Sequence, residues 1–277
     1  TIKTYITTFN HLKLFNEKYK YDLQFNTINS NFFSSFLKYC TEKKITNNSI
    51  GRLVKIIKSF MHYTNNKKIH NNNDFVKELK VFNEDTDLIA LSEIEINQIE
   101  DLKDISDRLS KTRDLFLFQV YTGLRISDLT KLKPENFNII EKVITLTTMK
   151  TQDKITIPIE DKVIEILNKY NFILPKYSPQ KYNEAIKDLA KKANIDKPTL
   201  TIKFIGNERV EETKPRYLLI SSHTARRTFI TNLLLKGVAP EIIMKITGHK
   251  TRKSFEKYIR ITECDAIEKV REALKSN

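Results

Sequence analysis

The sequence predicts a mainly α-helical protein with a small β-sheet, and two patterns in the chain indicate this fold class. Apolar residues recur every three to four positions over most of the chain, which is the spacing of amphipathic helices. Residues 142–159 instead alternate apolar and polar side chains around a polar turn, which is the pattern of a β-hairpin. With 277 residues, 40% of them hydrophobic, the chain is long enough for two domains that each bury a core.

The charge balance indicates the kind of partner. Lysine and arginine number 48 against 34 aspartates and glutamates, a net charge of +14 that favours nucleic acid or an anionic membrane. The membrane is the weaker choice, because no apolar run approaches the roughly 20 residues of a membrane span and no signal peptide opens the chain. Cys40 and Cys264 are too few for a disulfide framework, so we expect a reducing cytoplasm. The chain opens at Thr1 without a methionine, as a processed or trimmed piece would.

Residues 1–83 are predicted to form a small helical domain. Apolar side chains at helical spacing define its first helix, and Ser30 is the candidate N-cap of its second. A third helix carries Arg52, Lys55 and Lys58 on the side away from its apolar stripe. We interpret this basic face as a candidate contact to a DNA backbone, and a merely solvated face is the alternative.

An acidic stretch at residues 84–90 is predicted to be the linker to a second, larger domain over residues 91–277. Ser92 with Glu95 three residues later forms a capping box, which begins the first helix of that domain. We expect the rest of the domain to be mainly helical, with the hairpin at 142–159 as its only β-structure.

A segment near the end of the chain carries the most informative residues. His223 and Arg226 lie three positions apart in the first turn of a predicted helix, so their side chains share one face. Because a helix N-terminus adds free amides and partial positive charge, this arrangement favours an anion such as phosphate. His249 follows a helix-ending glycine, and Tyr258 comes nine residues later between basic neighbours. Each of these residues alone is more often a cap or a packing residue, whereas together they indicate a site.

Two upstream positions extend this set. Gly123 stops an apolar helix and permits a turn that aims Arg125 inward, with Asp128 three residues later to orient the guanidinium. Lys150 lies where the predicted hairpin turns, which presents a flexible ammonium beyond the sheet. The alternatives are a surface Arg–Asp pair of little consequence and a solvated turn lysine.

The motifs TGLRISDL, HTARRTF and GHK, with the hairpin lysine Lys150 and the final Tyr258, resemble those of the tyrosine recombinases. The resemblance covers nearly the whole chain. It implies that residues 1–83 are a helical, SAM-like core-binding domain and that residues 91–277 are a mixed α+β catalytic domain. Two details depart from the family pattern, because Asp128 stands where glutamate is frequent and Arg227 where histidine is frequent.

The resemblance also implies a role for each residue of the set. Tyr258 would attack the scissile phosphate and form a 3′-phosphotyrosyl link, while Arg125 and Arg226 would bind the non-bridging oxygens. His249 would add a hydrogen bond to the phosphate, Lys150 would protonate the leaving hydroxyl, and His223 would assist proton transfer with Tyr258. The covalent link stores the bond energy, so neither a cofactor nor a metal is expected.

The expected partners follow from the same resemblance. They are double-stranded DNA recombination sites, on which a homotetramer exchanges strands through a Holliday junction, with a monomer or weak dimer when free. Accessory DNA-bending proteins are left open, and a bacterial mobile-element integrase acting at the nucleoid is preferred. A last helix at residues 262–277 has an apolar stripe at Ile267, Val270 and Leu274, which would dock on its own domain or on a neighbouring protomer.

Two rival functions stay open at this point. A type IB topoisomerase would share the phosphotyrosine chemistry, and plasmid relaxation by monomers without junction intermediates would favour it. A purely DNA-binding protein would explain the basic charge but not the ordered set of six residues, and a covalent adduct on DNA would exclude it.

Overall fold

A computed structural model describes residues 2–84 and 89–259, and its contacts divide the chain into two compact units. Of these residues, 2–84 and 200–212 belong to the first unit, and 89–199 and 213–259 belong to the second. Each unit has its own hydrophobic core. No helix among the described residues is both long and apolar enough to cross a membrane. Part of the predicted linker (85–88) and the predicted last helix (262–277) lie outside the described residues.

The first unit is built on helices, and its core contains a cluster of aromatic side chains. Its helices are α1 (Ile2–Tyr19), α2 (Ser30–Glu42), α3 (Asn47–Asn66) and α4 (Asp74–Glu78). Phe15, Phe32, Phe36 and Tyr39 are fully buried, and the rings contact one another edge-to-face or stacked. Such aromatic pairs add to the stabilisation from burial, which suits a unit of this size.

The start of α2 lies one residue earlier than predicted. Asn29, not Ser30, is the N-cap, because the Asn29 side-chain oxygen accepts hydrogen bonds from the backbone amides of Asn31 and Phe32. Ser30 is the first helical residue.

The second unit is also mainly helical and holds the remaining α-helices of the described residues and, outside residues 200–212, the strands. They are α5 (Glu93–Glu100), α6 (Asp107–Thr122), α7 (Ile126–Leu129), β1 (Phe137–Asn138), β2 (Val143–Thr147), β3 (Lys154–Pro158), α8 (Asp161–Lys169), α9 (Pro179–Lys192), the bases of β4 (Pro198–Ile205) and β5 (Glu208–Pro215), α10 (Ser222–Leu235), α11 (Pro240–Thr247) and α12 (252–259). The centre is α6, which packs against α5, α8, α9 and α10 and buries Leu115, Phe116 and Phe118 completely. The predicted capping box of Ser92 and Glu95 is confirmed at the start of α5.

The predicted hairpin at residues 142–159 is confirmed as strands β2 and β3. The strands are antiparallel, and a short β1 pairs with the other edge of β2. The apolar side chains that alternate along both strands face the core, as Ile144, Leu146, Ile155 and Ile157 are all buried. A polar loop joins the two strands and carries Lys150.

The prediction that this hairpin is the only β-structure was wrong. A second hairpin is formed by β4 and β5, with Gly206 in the left-handed region at φ +59° in the turn. The sequence carries a signal for it, because Leu200, Ile202 and Phe204 alternate with polar residues just before Gly206. The signal is weak, since many strand residues stay exposed or half-buried. Within the first unit, the Asn47 amide exchanges two hydrogen bonds of 2.8 Å with the Gly206 backbone.

Replacement of Gly123 by alanine is expected to destabilise the second unit more than the same change at Gly237. Both glycines have positive φ, so a Cβ costs about 1 kcal/mol of backbone strain at either site. A Cβ on Gly123 would also lie 2.3 Å from the Phe229 ring, whereas one on Gly237 would meet nothing within 4 Å. Overpacking should lower the free energy of unfolding of Gly123→Ala by about 2 kcal/mol beyond Gly237→Ala in chemical denaturation. Equal losses would contradict this account.

Candidate active site

The turn after α6 places Arg125. Gly123 ends the helix in the left-handed region at φ +65°, with its amide donating to the Gln119 carbonyl at 2.8 Å. The chain then turns so that Arg125 becomes the N-cap of α7. Its side chain is largely buried, and its Nη2 lies 3.5 Å from the carbonyl oxygen of Gly248. The inward orientation predicted from the Gly123 turn is therefore confirmed.

Arg226 lies in the first turns of α10 and is held by two main-chain carbonyls. Only 3% of the residue is exposed. Its Nη1 donates to the Gly123 carbonyl at 2.7 Å, and its Nη2 donates to the Thr247 carbonyl at 2.5 Å. These oxygens terminate α6 and α11, where the helix dipole concentrates negative partial charge. A buried guanidinium is thus accommodated without a carboxylate bonded to it in the described part of the chain.

The two guanidinium groups of Arg125 and Arg226 lie close enough to affect each other. Burial and then the charge of Arg125 lower the pKa of Arg226 to about 10, while Tyr258 opposes the shift. The Arg125 Nη1 is buried without a hydrogen-bond partner among the described residues. Two adjacent cations with an unpaired donor form a site that favours an oxyanion.

Asp128 connects Arg125 to the loop that carries Lys150. Its carboxylate is buried, with Oδ2 3.9 Å from Arg125 Nη1 and Oδ1 accepting the Met149 amide at 2.8 Å. The predicted orienting role toward Arg125 thus extends to the β2–β3 loop. Lys150 itself is exposed, so its ammonium can reach outward from a loop that is fixed at its neighbour.

The end of α11 places His249. Gly248 adopts φ +65°, and the His249 amide donates to the Met244 carbonyl at 2.9 Å, which closes the helix. The His249 ring is half-buried, and its Nδ1 lies 2.7 Å from the Thr247 hydroxyl. Burial, followed by the charges of Arg226, Arg125, Lys257 and Lys150, lowers the pKa of His249 to about 3. The ring is therefore neutral at neutral pH.

Tyr258 lies on α12 beside these groups and in the same chain. Only 6% of the residue is exposed, and its ring centroid is 5.4 Å from that of His249 and 5.6 Å from that of Phe255. Lys257 Nζ lies 5.2 Å from the centre of the Tyr258 ring. A phenol that packs on His249 and interacts with Arg226 is positioned next to the oxyanion site.

His223 occupies the first turn of α10, at the rim of this cluster. The side chain is exposed on one side, yet the protein atoms on its other side partly exclude water. This partial burial lowers the pKa of His223, followed by the charges of Arg227, Arg226 and Lys257. The structure thus brings Arg125, Arg226, His249 and Tyr258 together, with His223 and Lys150 at the rim.

Two neighbours of the site were not recognised from the sequence. Arg227 was noted only as a departure from a family pattern, yet its charge lowers the pKa of His223, and Tyr258 lies near enough to raise the pKa of Arg227. Thr247 gave no signal, because a threonine at a helix end is common. Its contacts to His249 and Arg226 depend on how α10 and α11 pack.

The candidate DNA-contacting residues of α3 have different surroundings. Arg52 and Lys55 are exposed. Lys58 instead donates hydrogen bonds to the carbonyls of Val76 and Leu79 at 2.8 and 3.0 Å, so part of its bonding capacity is used within the first unit. The DNA contact of these three residues stays a prediction.

Taken together, these side chains can bind a phosphate and present a nucleophile to it. The guanidinium groups of Arg125 and Arg226 offer fixed donors to the oxygens, and the Tyr258 phenol lies next to them. In residues 2–84 and 89–259, no group of three or more histidine, cysteine or acidic side chains is arranged to hold a metal ion.

The sequence matches two family profiles that together cover most of the chain. The profile described as phage integrase family matches residues 91–264, and that of the phage integrase SAM-like domain matches residues 1–76. The chain therefore belongs to the phage integrase family of tyrosine recombinases.

Similar proteins and structures agree with this assignment. A tyrosine recombinase of Thermosipho africanus is 23% identical over 266 residues, which cover 90% of this chain and 86% of that protein. A Tn1549 transposon integrase in complex with transposon right end DNA aligns with a TM-score of 0.65 at 19% identity, over 99% of this chain and 98% of that one. A lambda integrase tetramer bound to a Holliday junction aligns with a TM-score of 0.66 at 16% identity, over 93% and 72%. The structural matches show a shared fold.

Replacement of His249 by glutamine is expected to reduce the loss of stability on mild acidification. The folded chain keeps this ring neutral with a pKa of about 3, whereas the unfolded chain protonates it near pH 6.5. The contribution of the neutral His249 ring to the stability of the folded state is therefore complete above about pH 6.5 and is lost as the pH falls toward 3. Between pH 6.5 and about 5 the full effect would be about 2 kcal/mol, and partial exposure reduces it to about 1 kcal/mol.

Chemical denaturation of both proteins at the two pH values measures this difference. Carboxylates that titrate in the same range are common to both proteins and cancel. An equal loss of unfolding free energy in both would show that the buried ring does not resist protonation.

Proposed function

We propose that this recombinase cleaves and rejoins DNA strands through Tyr258, which attacks the scissile phosphate and forms a 3′-phosphotyrosyl link. The observation that carries the proposal is the buried Tyr258 phenol beside Arg226 and Arg125, the latter with an unpaired buried donor. A phosphate oxygen would satisfy that donor. The Tyr258 oxygen would then form the new bond to phosphorus as the 5′-oxygen leaves.

The two arginines would stabilise the charge that develops on the non-bridging oxygens. Arg226 is fixed by two carbonyls, and Arg125 is largely buried beside Asp128 and the Gly248 carbonyl, so both guanidinium groups would lie at the phosphate before the transition state forms. Preorganised donors of this kind are often the largest contribution to such catalysis. Arginine suits the task because it stays charged at any working pH.

Of the remaining three residues, His223 and Lys150 would transfer protons and His249 would bind the phosphate. His223, at the rim near Lys257, would assist proton transfer from Tyr258. Lys150 would protonate the 5′-oxygen as it leaves, because its loop lies near enough for its charge to affect His249. His249 would bond the phosphate. The phosphotyrosyl bond would conserve the energy of the cleaved linkage for rejoining.

The substrate would be double-stranded DNA carrying recombination sites. A net charge of +14 favours the DNA backbone, and the related Tn1549 integrase is described in complex with transposon DNA. The lambda integrase is described as a tetramer on a Holliday junction. For this chain we infer the same assembly, a monomer or weak dimer that forms a tetramer on DNA in the bacterial cytoplasm and moves a mobile element.

Of the two rivals, a type IB topoisomerase would use similar chemistry. The named relatives are recombinases and integrases, which favours recombination. A purely DNA-binding protein would leave the buried Tyr258–Arg226 interaction without a role.

The variant Tyr258→Phe is expected to bind DNA but to form no covalent adduct, because the ring packing is kept and only the attacking oxygen is removed. The measurement is trapping on a nicked suicide substrate followed by denaturing electrophoresis, with DNA affinity measured in parallel. Tyr63→Phe, which alters an exposed tyrosine of the first unit, is the matched control. Adduct formation by Tyr258→Phe at the wild-type level would refute the nucleophile.

The variant Lys150→Ala is expected to slow cleavage by about 100-fold or more, because the leaving 5′-oxygen then lacks a proton donor. A substrate with a 5′-phosphorothiolate linkage has a leaving group that needs no proton, so it should restore the rate. Lys154→Ala, an exposed lysine on the same hairpin, should cleave normally. If the modified substrate gave no rescue, Lys150 would not be the general acid.

A further inference from the structure

Thr247 is the last residue of α11, and it contacts two residues of the site at once. Only 1% of it is exposed. Its carbonyl accepts the hydrogen bond from Arg226 Nη2 at 2.5 Å, and its hydroxyl lies 2.7 Å from His249 Nδ1. The same hydroxyl lies 2.5 Å from the carbonyl oxygen of Ile243, one turn earlier.

The directions of these hydrogen bonds follow from counting protons. A carbonyl oxygen can only accept, so the single hydroxyl proton of Thr247 is donated to Ile243. The carbonyl of Met244, 3.5 Å from the hydroxyl, can also only accept, so donation to it would equally use the hydroxyl proton. The hydroxyl oxygen therefore has only lone pairs to offer His249, and Nδ1 must carry the hydrogen that fills the 2.7 Å contact.

The charge state of His249 determines what this means for the other ring nitrogen. Burial and the nearby cations keep the ring neutral, so it carries one N–H. With that hydrogen on Nδ1, the other nitrogen, Nε2, carries a lone pair. Arg226 Nη2 lies 3.5 Å from both ring nitrogens of His249 and already donates to the Thr247 carbonyl at 2.5 Å, so it does not decide between them.

We propose that Thr247 is a positioning residue of the strand-cleavage reaction, holding His249 as the Nδ1–H tautomer so that Nε2 is the nitrogen available to the DNA phosphate. This inference rests on the proposed function. Nε2 can donate a hydrogen bond to a phosphate oxygen only after taking up a proton from solvent, and the negative charge of the bound phosphate would raise the pKa of His249 and favour that uptake. Thr247 then remains the acceptor for Nδ1–H, so the ring keeps its orientation in the imidazolium form.

The same residue couples His249 to Arg226. The Thr247 carbonyl accepts a hydrogen bond from the Arg226 guanidinium, and the Thr247 hydroxyl contacts the His249 imidazole. Both side chains are therefore positioned by the same residue at the end of α11. Substitution of the hydroxyl alone leaves the carbonyl in place. Thr247→Val is therefore a selective change, because valine keeps the shape of threonine and replaces only the hydroxyl with a methyl group.

The first test reads the tautomer directly, without activity. Nitrogen-15 NMR of the histidine-labelled protein is recorded for wild type, Thr247→Val and Thr247→Ser, and the His249 signals are assigned by their loss in His249→Gln. We expect the Nδ1–H form in wild type and Thr247→Ser, and a shift toward Nε2–H in Thr247→Val. A wild-type ring in the Nε2–H form, or the same tautomer in Thr247→Val as in wild type, would overturn the proposal.

The second test measures the rate of covalent adduct formation on a suicide substrate. We expect Thr247→Val to lose between about 10-fold and 100-fold, as found when hydrogen-bond partners of metal-binding histidines are removed, and Thr247→Ser to stay within about twofold. A changed tautomer with an unchanged rate would refute the positioning role. If wild type itself formed no adduct, the proposed function would fail, while the NMR result would still decide the hydrogen bond.

Discussion

The second unit depends on one unusual arrangement, a buried guanidinium held by the carbonyl ends of two helices. Arg226 donates to the last carbonyls of α6 and α11, through Gly123 and Thr247. Both acceptors are neutral, so the positive charge is solvated but not cancelled. Burial together with this remaining charge and that of Arg125 keeps His249 neutral, and the two charges favour an anion at the place where Tyr258 lies.

Much of the fold could be predicted because its elements carry local signals. The apolar alternation of β2 and β3, the capping box at Ser92 and the helix-ending Gly123 and Gly248 all act within a few residues. The β4–β5 hairpin was missed because its strands stay half exposed and bury few apolar side chains. Short-range chemistry identifies a helix end more reliably than it identifies a strand with a thin core.

The site was predictable to a different extent. Its residue types and order pointed to Arg125, Arg226, His249 and Tyr258, and the structure brings these together. The contributions of Thr247 and Arg227 could not be predicted in this way. They arise where α10, α11 and α12 meet, and a sequence separation of many residues gives no measure of such proximity. A role that depends on the chemistry of one side chain can be predicted from the sequence, whereas a role that depends on contacts between distant segments cannot.

The hydrogen bonding of Arg226 to main-chain oxygens has an evolutionary consequence. A backbone carbonyl is present whichever amino acid occupies the position, so most substitutions at an acceptor residue leave the acceptor itself intact. What has to be conserved is the backbone conformation, above all the left-handed turns at Gly123 and Gly248. Descendants of this protein can therefore change the side chains at the acceptor positions and still keep both hydrogen bonds to Arg226, provided that these two turns are conserved.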